Sequence, residues 1–230
     1  MTITLYDLCA RDTARRFSPH CWKARMALAH KGLDYETRPV PFTKIRDIGK
    51  GFSPTVPVID DNGTLIRDSF DIALYLEEKY PDRPSLFLGK GGEAHARFVE
   101  SWALTTIHTA LTELIVKDIH DVLDEENQAY FRESREKRFG RSLEEIQSGR
   151  DERLGNFRES LTPLRHMLAR QGFIGGEAPL FADYVVFGPL QWARVASPLK
   201  LLAEDDPVSL WFERCLDLHE GTGRQMPAAA

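Results

Sequence analysis

The chain has 230 residues, enough for one large domain or two small ones. It is 42% hydrophobic and 28% charged, a globular composition, and its net charge of −5 argues against a broadly basic nucleic-acid binder. No apolar run approaches the roughly 18 residues of a bilayer span, and the N-terminal MTITLYDLCA lacks the pattern of a signal peptide. Cys9, Cys21 and Cys215 show no CxxC and no zinc-ligand spacing. A cytoplasmic protein with no membrane, nucleic-acid or metal partner is expected.

Residues 1 to about 80 alternate strand and helix signals. Thr2–Leu5 reads as a strand, Arg11–Arg16 as a basic loop, and Ser18–His30 as a helix with Trp22, Met26 and Ala29 on one face and Gly32 as its stop. Tyr35–Val40 reads as a second strand, Phe42–Gly51 as short and irregular. Val56–Asp60 and Leu65–Arg67 form a hairpin about Asp61-Asn62-Gly63, and Asp68–Lys79 a helix stopped by Pro81. A β-α-β start demands a crossover and a parallel pair, and the hairpin adds antiparallel strands. Residues 81–89 read as a linker around an apolar plug, Leu86-Phe87-Leu88. Beyond it the patterns are helical: Ala94–His120, Gln128–Gln147, Asp151–Arg170, Phe181–Val195 and Pro207–His219. Gly188-Pro189 should kink the fourth. The dense mixed charge of Tyr130–Arg153, with Arg132/Glu136, Glu133/Lys137 and Arg141/Glu145 at helical spacing, reads as a solvated face.

Three short motifs carry chemistry. Ser18-Pro19 is a good N-cap and first helical residue, with Phe17 and Trp22 placed as a hydrophobic staple. A hydroxyl at a helix N-terminus can also donate to an anion such as a thiolate. The run SPHC looks like a CPxC redox motif whose first cysteine is Ser18, which makes Cys21 a core residue rather than one of the two thiols a dithiol oxidoreductase needs. Val56-Pro57 is either an edge device or a cis peptide that turns the Val56 backbone toward an extended ligand. Asp68-Ser69 either caps a helix or receives an amino-acid head group, the carboxylate on Ser69 and the ammonium on Asp68. Their order suits one extended, doubly charged thiol tripeptide.

SPHCWKARMALAHKG and VPVIDDNGTLIRDSFDIALYLEEKYP resemble the active-site helix and the cis-Pro and acidic-Ser segment of Ser-type cytosolic glutathione transferases. ADYVVFG resembles their folding-motif helix, except that Leu180 stands where a capping Ser, Thr or Asn is usual, with Asp183 kept. YFRESREKRFGRSLEEI and DLHEGTGRQ look like segments of bacterial lignin β-aryl-etherases and fungal etherase-related transferases. The resemblance implies a thioredoxin-like α/β N-terminal domain (1–80) plus an all-α C-terminal domain (90–230), a homodimer, and glutathione as co-substrate. It further implies transfer to a hydrophobic aromatic electrophile or cleavage of a β-aryl ether. Ser18 would be catalytic, and Val56, Pro57, Asp68 and Ser69 would hold glutathione. Trp102, Thr106 and His108 would face the electrophile, with Arg11, Arg15 and Arg16 favouring acidic substituents unless merely solvated. The competing readings are a non-catalytic binder of glutathione or an aromatic ligand, and Cys21-based thiol exchange.

Overall fold

A computed structural model describes residues 2–229. The chain runs β1 (Ile3–Leu8), α1 (Pro19–His30), β2 (Tyr35–Val40), a pair of 3₁₀ turns (Phe42–Lys50), β3 (Val58–Asp61), β4 (Thr64–Arg67) and α2 (Ser69–Lys79). The sheet order is β2-β1-β3-β4. Strand β2 is parallel to β1, with Ile3 opposite Tyr35, whereas β3 is antiparallel to both β1 and β4. Asn62 and Gly63 take φ of 54° and 90°, the conformation a tight hairpin turn requires, and Asp60 accepts the Gly63 N–H at 2.7 Å. The result is a thioredoxin-like α/β domain.

The rest is helical: α3 (Lys90–Trp102), a π-helical segment (Ala103–His108), α4 (Thr109–Asp121), α5 (Glu125–Phe139), α6 (Leu143–Gln147), α7 (Arg150–Ser160), α8 (Thr162–Leu168), α9 (Phe181–Ala196) and α10 (Pro207–Gly221). Several long patterns are thus divided. Gly140, at φ 68°, separates α5 from α6, and the π segment interrupts Ala94–His120. Just past that segment the Thr109 hydroxyl donates to Leu104 O, five residues back, as the wider turn permits. α10 leaves helical geometry at Leu218, His219 and Glu220.

α1 is buried on more than the single face its periodicity suggests, because it lies between the sheet domain and α9. Even Lys23 is only 1% exposed, its ammonium 3.3 Å from Glu100 of α3. α9 continues as one helix through Pro189. Gly188 is required there, since a Cβ would lie 2.2 Å from Pro19 O of α1. The linker inserts Leu86 and Phe87, but not Leu88, which is 74% exposed. Phe87 joins Phe70 of α2 and Phe181 of α9 in a three-ring cluster with centroids 5.2–5.7 Å apart. Phe17 and Trp22 are both buried, Phe17 near Phe42 and Trp22 edge-on to Phe187.

Where α1, α9 and α10 meet, Tyr184 OH lies 2.7 Å from His30 Nδ1 and 2.8 Å from His219 Nε2. His30 Nε2 must donate to Ser85 O at 3.0 Å, so neutral His30 accepts from Tyr184 through Nδ1, and Tyr184 accepts from His219. Burial lowers both histidine pKa values, that of His219 to about 4. The unfolded chain therefore binds more protons below the ordinary value near 6.5, and stability falls as pH drops from there toward 4. His219 should contribute about 1–2 kcal/mol of this loss between about pH 7 and pH 5. Urea titrations at the two pH values measure it, and His219→Asn should flatten the dependence.

Candidate functional site

A cleft of about 410 Å³ lies between the two halves of the chain, within the usual size range of small-molecule sites. Ser18, Val56, Pro57, Asp68 and His108 all line it. Ser18 forms the N-cap of α1, and its Oγ accepts the Cys21 N–H at 3.2 Å. The hydroxyl hydrogen remains free to donate to an anion beside the positive end of the helix.

The Val56-Pro57 peptide is cis. Among the described residues no hydrogen bond involves the Val56 N–H or C=O, so an unpaired stretch of backbone faces the cleft. Asp68 caps α2 through Oδ1, which accepts the Phe70 and Asp71 N–H groups at 2.8 and 3.3 Å. Its φ of 69° is costly for a non-glycine residue, on the order of 1–3 kcal/mol, and such strain gathers at ligand sites. The capping and ligand readings of this motif are compatible, because Oδ2 is not used by the cap. Ser69 is nearly fully buried and is not part of the cleft lining.

Two of the three residues expected near the electrophile lie elsewhere. Thr106 lines a separate cavity of about 190 Å³ with Glu113 and Arg153, and Trp102 lines neither space. The π segment sets this register: of this stretch it turns His108, not Trp102 or Thr106, into the cleft. The indole of the cleft is Trp192 of α9, stacked on His108 at 5.0 Å, and His20 lies 5.3 Å from the other ring. Burial, then Lys23, Arg138 and Arg135, lowers the His108 pKa to about 4. Burial, then Lys23 and His108, holds that of His20 well below its ordinary value. Both rings are neutral near pH 7, and the buried Nδ1 of His108 has no partner among the described residues.

None of the arginines of the basic loop lines the cleft. Arg11 donates to Leu123 O at 3.0 Å and Arg15 to Val195 O at 2.8 Å, tying the loop to the helical half. Arg16 is 7% exposed, and its carbonyl accepts the Trp22 indole N–H. The cations of the cleft are instead Arg135 and Arg138, on the charged helix whose pattern reads as solvated. Arg132 does form its pair with Glu136, at 2.7 Å, but the neighbouring face of α5 brings Phe131, Arg135 and Phe139 to the cleft, with the exposed Tyr130 and Arg138 at its margin. The aromatic residues within that charged run are the signal that could have marked this face. Cys21 is fully buried, outside the cleft lining, and burial pushes its pKa far up, so it makes a poor nucleophile.

A thioredoxin-like domain presenting a capped helix end, an open backbone edge and an acidic cap to a cleft closed by helices has the architecture of the glutathione transferases. Residues 13–84 match the family model "Glutathione S-transferase, N-terminal domain", and residues 94–216 match "Glutathione S-transferase, C-terminal domain". The chain belongs to the glutathione S-transferase family. It is 39% identical over 90 residues to Glutathione S-transferase Z1 of Arabidopsis thaliana, a match spanning 37% of this chain and 39% of that one. Glutathione transferase GSTFuA3 of Phanerochaete chrysosporium superposes with a TM-score of 0.77 at 28% identity, over 98% of this chain and 94% of that chain. The glutathione S-transferase CsGST83044 of Ceriporiopsis subvermispora, solved in complex with glutathione, gives 0.75 at 27% identity, over 98% and 96%.

Proposed function

We propose that the protein is an enzyme that binds glutathione along the sheet-domain wall of this cleft and transfers it to a hydrophobic aromatic electrophile held against the helical wall. The observation that carries the reading is the convergence of Ser18, the unpaired Val56 backbone and Asp68 on one cleft. Ser18 stabilises the thiolate, the Val56 N–H and C=O pair with the cysteinyl backbone beside Pro57, and at the N-terminus of α2 Asp68 receives the γ-glutamyl ammonium and the Ser69 hydroxyl and N–H its carboxylate. The glutathione complex of the C. subvermispora protein supports this choice of co-substrate.

Removing one partner of a charge-assisted pair costs about 1.5–3 kcal/mol, so Asp68→Asn should weaken glutathione binding roughly ten- to hundred-fold. The Asn side chain keeps the Oδ1 cap, which separates ligand contact from folding. Calorimetric titration reads the difference, and an unchanged affinity rejects the assignment.

The helical wall bears Tyr130, Phe131, Phe139 and Trp192, and Phe42 of the sheet domain packs beside Tyr130 and Phe131, which suits aromatic groups. Together with the etherase-like segments it favours β-aryl ether cleavage as the particular reaction: glutathione sulfur displaces the aryloxide, which leaves as a phenol. Phenol release from a β-aryl ether compound tests this, and its absence alongside conjugation of halogenated aromatics leaves general transfer. A two-fold homodimer is part of the proposal. Phe98 and Leu104 are 72% and 40% exposed, apolar surface that a second copy would cover, and sedimentation reads the oligomeric state.

A further inference from the structure

On α5, Arg132 and Arg135 stand one turn apart in contrasting states. Arg132 faces outward and is satisfied by Glu136 at 2.7 Å and Glu144 at 2.8 Å. Arg135 lines the cleft, and its side chain donates only to Ser134 Oγ at 3.0 Å. Arg138, also on the cleft, makes no side-chain hydrogen bond among the described residues. Neither guanidinium has a carboxylate within ion-pair distance among those residues. Burial, with Arg138 close by, lowers the Arg135 pKa from its ordinary value.

Arg135 is half-buried and Arg138, though exposed, adds a like charge beside it, which is unfavourable without a counter-ion. Stacking of Arg135 4.4 Å over Phe131 and 5.5 Å from Phe42 offsets part of that cost while leaving every N–H but the one given to Ser134 Oγ without a partner among the described residues. His108 lines the same cleft as the two arginines, and its buried Nδ1 has no partner among the described residues. Around them lie the rings of Tyr130, Phe139 and Trp192. The site therefore pairs a cationic fork with an aromatic enclosure.

We propose that Arg135 and Arg138 form a carboxylate subsite, so that the ligand taken by the helical wall is an aromatic acid: the planar carboxylate on the guanidinium fork, the ring between Phe42, Tyr130 and Trp192. This deepens the proposed transferase reading and rests on the helical wall being the electrophile site. The guanidinium fork matches the two oxygens of a carboxylate in geometry, and the enclosure supplies the apolar contact that a small inorganic anion would leave unused.

The test uses cinnamate and cinnamamide, which share a ring and a planar side chain but differ in charge. Calorimetric titration of the full chain, without glutathione, should show cinnamate bound roughly ten- to hundred-fold more tightly. In Arg135→Gln/Arg138→Gln this preference should vanish while cinnamamide affinity stays, and Arg135→Lys/Arg138→Lys should retain part of it. Equal affinities in the wild type, no cinnamate binding, or a preference that survives the glutamine pair would overturn the proposal. The wild-type comparison stands even if a variant fails to fold. Glutathione titration of the same preparations separates the two readings. Loss of the transferase reading appears as no glutathione binding, with the acid preference intact. Loss of the subsite appears as equal binding of acid and amide, with glutathione affinity intact.

Discussion

Ser18→Ala is expected to slow glutathione conjugation at neutral pH by roughly ten- to hundred-fold, through the ionisation of the bound thiol. A thiol of pKa about 8.5 must fall by about two units to be largely ionised near pH 7, which requires ~2.7 kcal/mol. A hydrogen bond to a charged group contributes about 1.5–3 kcal/mol and a helix N-terminus about 0.3–1, up to ~2 when partly buried. The Ser18 hydroxyl and the end of α1 together suffice without a general base. The variant keeps the helix end but loses the donor, so the thiol pKa should rise by about one to two units. The thiolate is the charged, deprotonated form, so the acid limb of the pH–rate profile moves to higher pH and the rates converge in alkaline solution. A purely structural effect, such as the ~1 kcal/mol lost with the cap over Cys21 N–H, would lower the rate at every pH. A profile displaced vertically but not horizontally would remove Ser18 from catalysis and favour a binding protein.

The largest loss of stability is expected from Asp183→Ala. This carboxylate, fully buried at the start of α9, accepts the Ile174, Gly175 and Leu180 N–H groups at 2.7, 2.9 and 3.0 Å, and the Trp211 indole N–H at 2.9 Å. It thus joins α9, the preceding loop and α10. Leu180 has no side-chain oxygen to cap the helix, and only its carbonyl meets the Asp183 N–H, at 2.9 Å. The Asp183 carboxylate therefore satisfies donors on both sides of the helix start. Burial raises its pKa, and the four N–H groups act against that rise. Truncation leaves four donors without an acceptor, two of them buried and two part-buried, at about 1–3 kcal/mol for each buried one before relaxation, and a total loss of about 4 kcal/mol is expected. That is a large share of a domain's usual ~5–15 kcal/mol. Asp183→Asn should be nearly as harmful, because its amide turns an N–H toward donors. The shift of the urea midpoint measures both, and a loss below about 1 kcal/mol would contradict the account.

Much of the sheet domain was legible because its signals are local. The Asn62-Gly63 turn, the Ser18, Asp68 and Asp206 caps and the stop at Gly32 each depend on a few neighbouring residues and on backbone sterics. The site was legible to the extent that it is built from the same local features: Ser18, Val56, Pro57 and Asp68 line one cleft because each sits at an element boundary, and boundaries cluster at one end of a thioredoxin-like sheet. The helical wall was not. A regular helical pattern gave no sign of the π segment, so Trp102 and Thr106 were expected where only His108 arrives. Charge density alone could not show that one face of α5 is covered.

The amino-acid sequence by itself therefore determined the β-α-β-β-β-α order, the helix caps and hairpin turn of the sheet domain and the residues of its cleft wall, since capping, turn geometry and period are properties of short segments. Tertiary structure alone decided that Arg135 stands unpaired in a cleft while Arg132 is paired outside it. It also decided that His108 is neutral against Trp192, and that Leu88 faces water while Phe87 joins the core. Those outcomes depend on which helix docks where, and on the water and charge each docking removes. Segments distant in the chain settle them together.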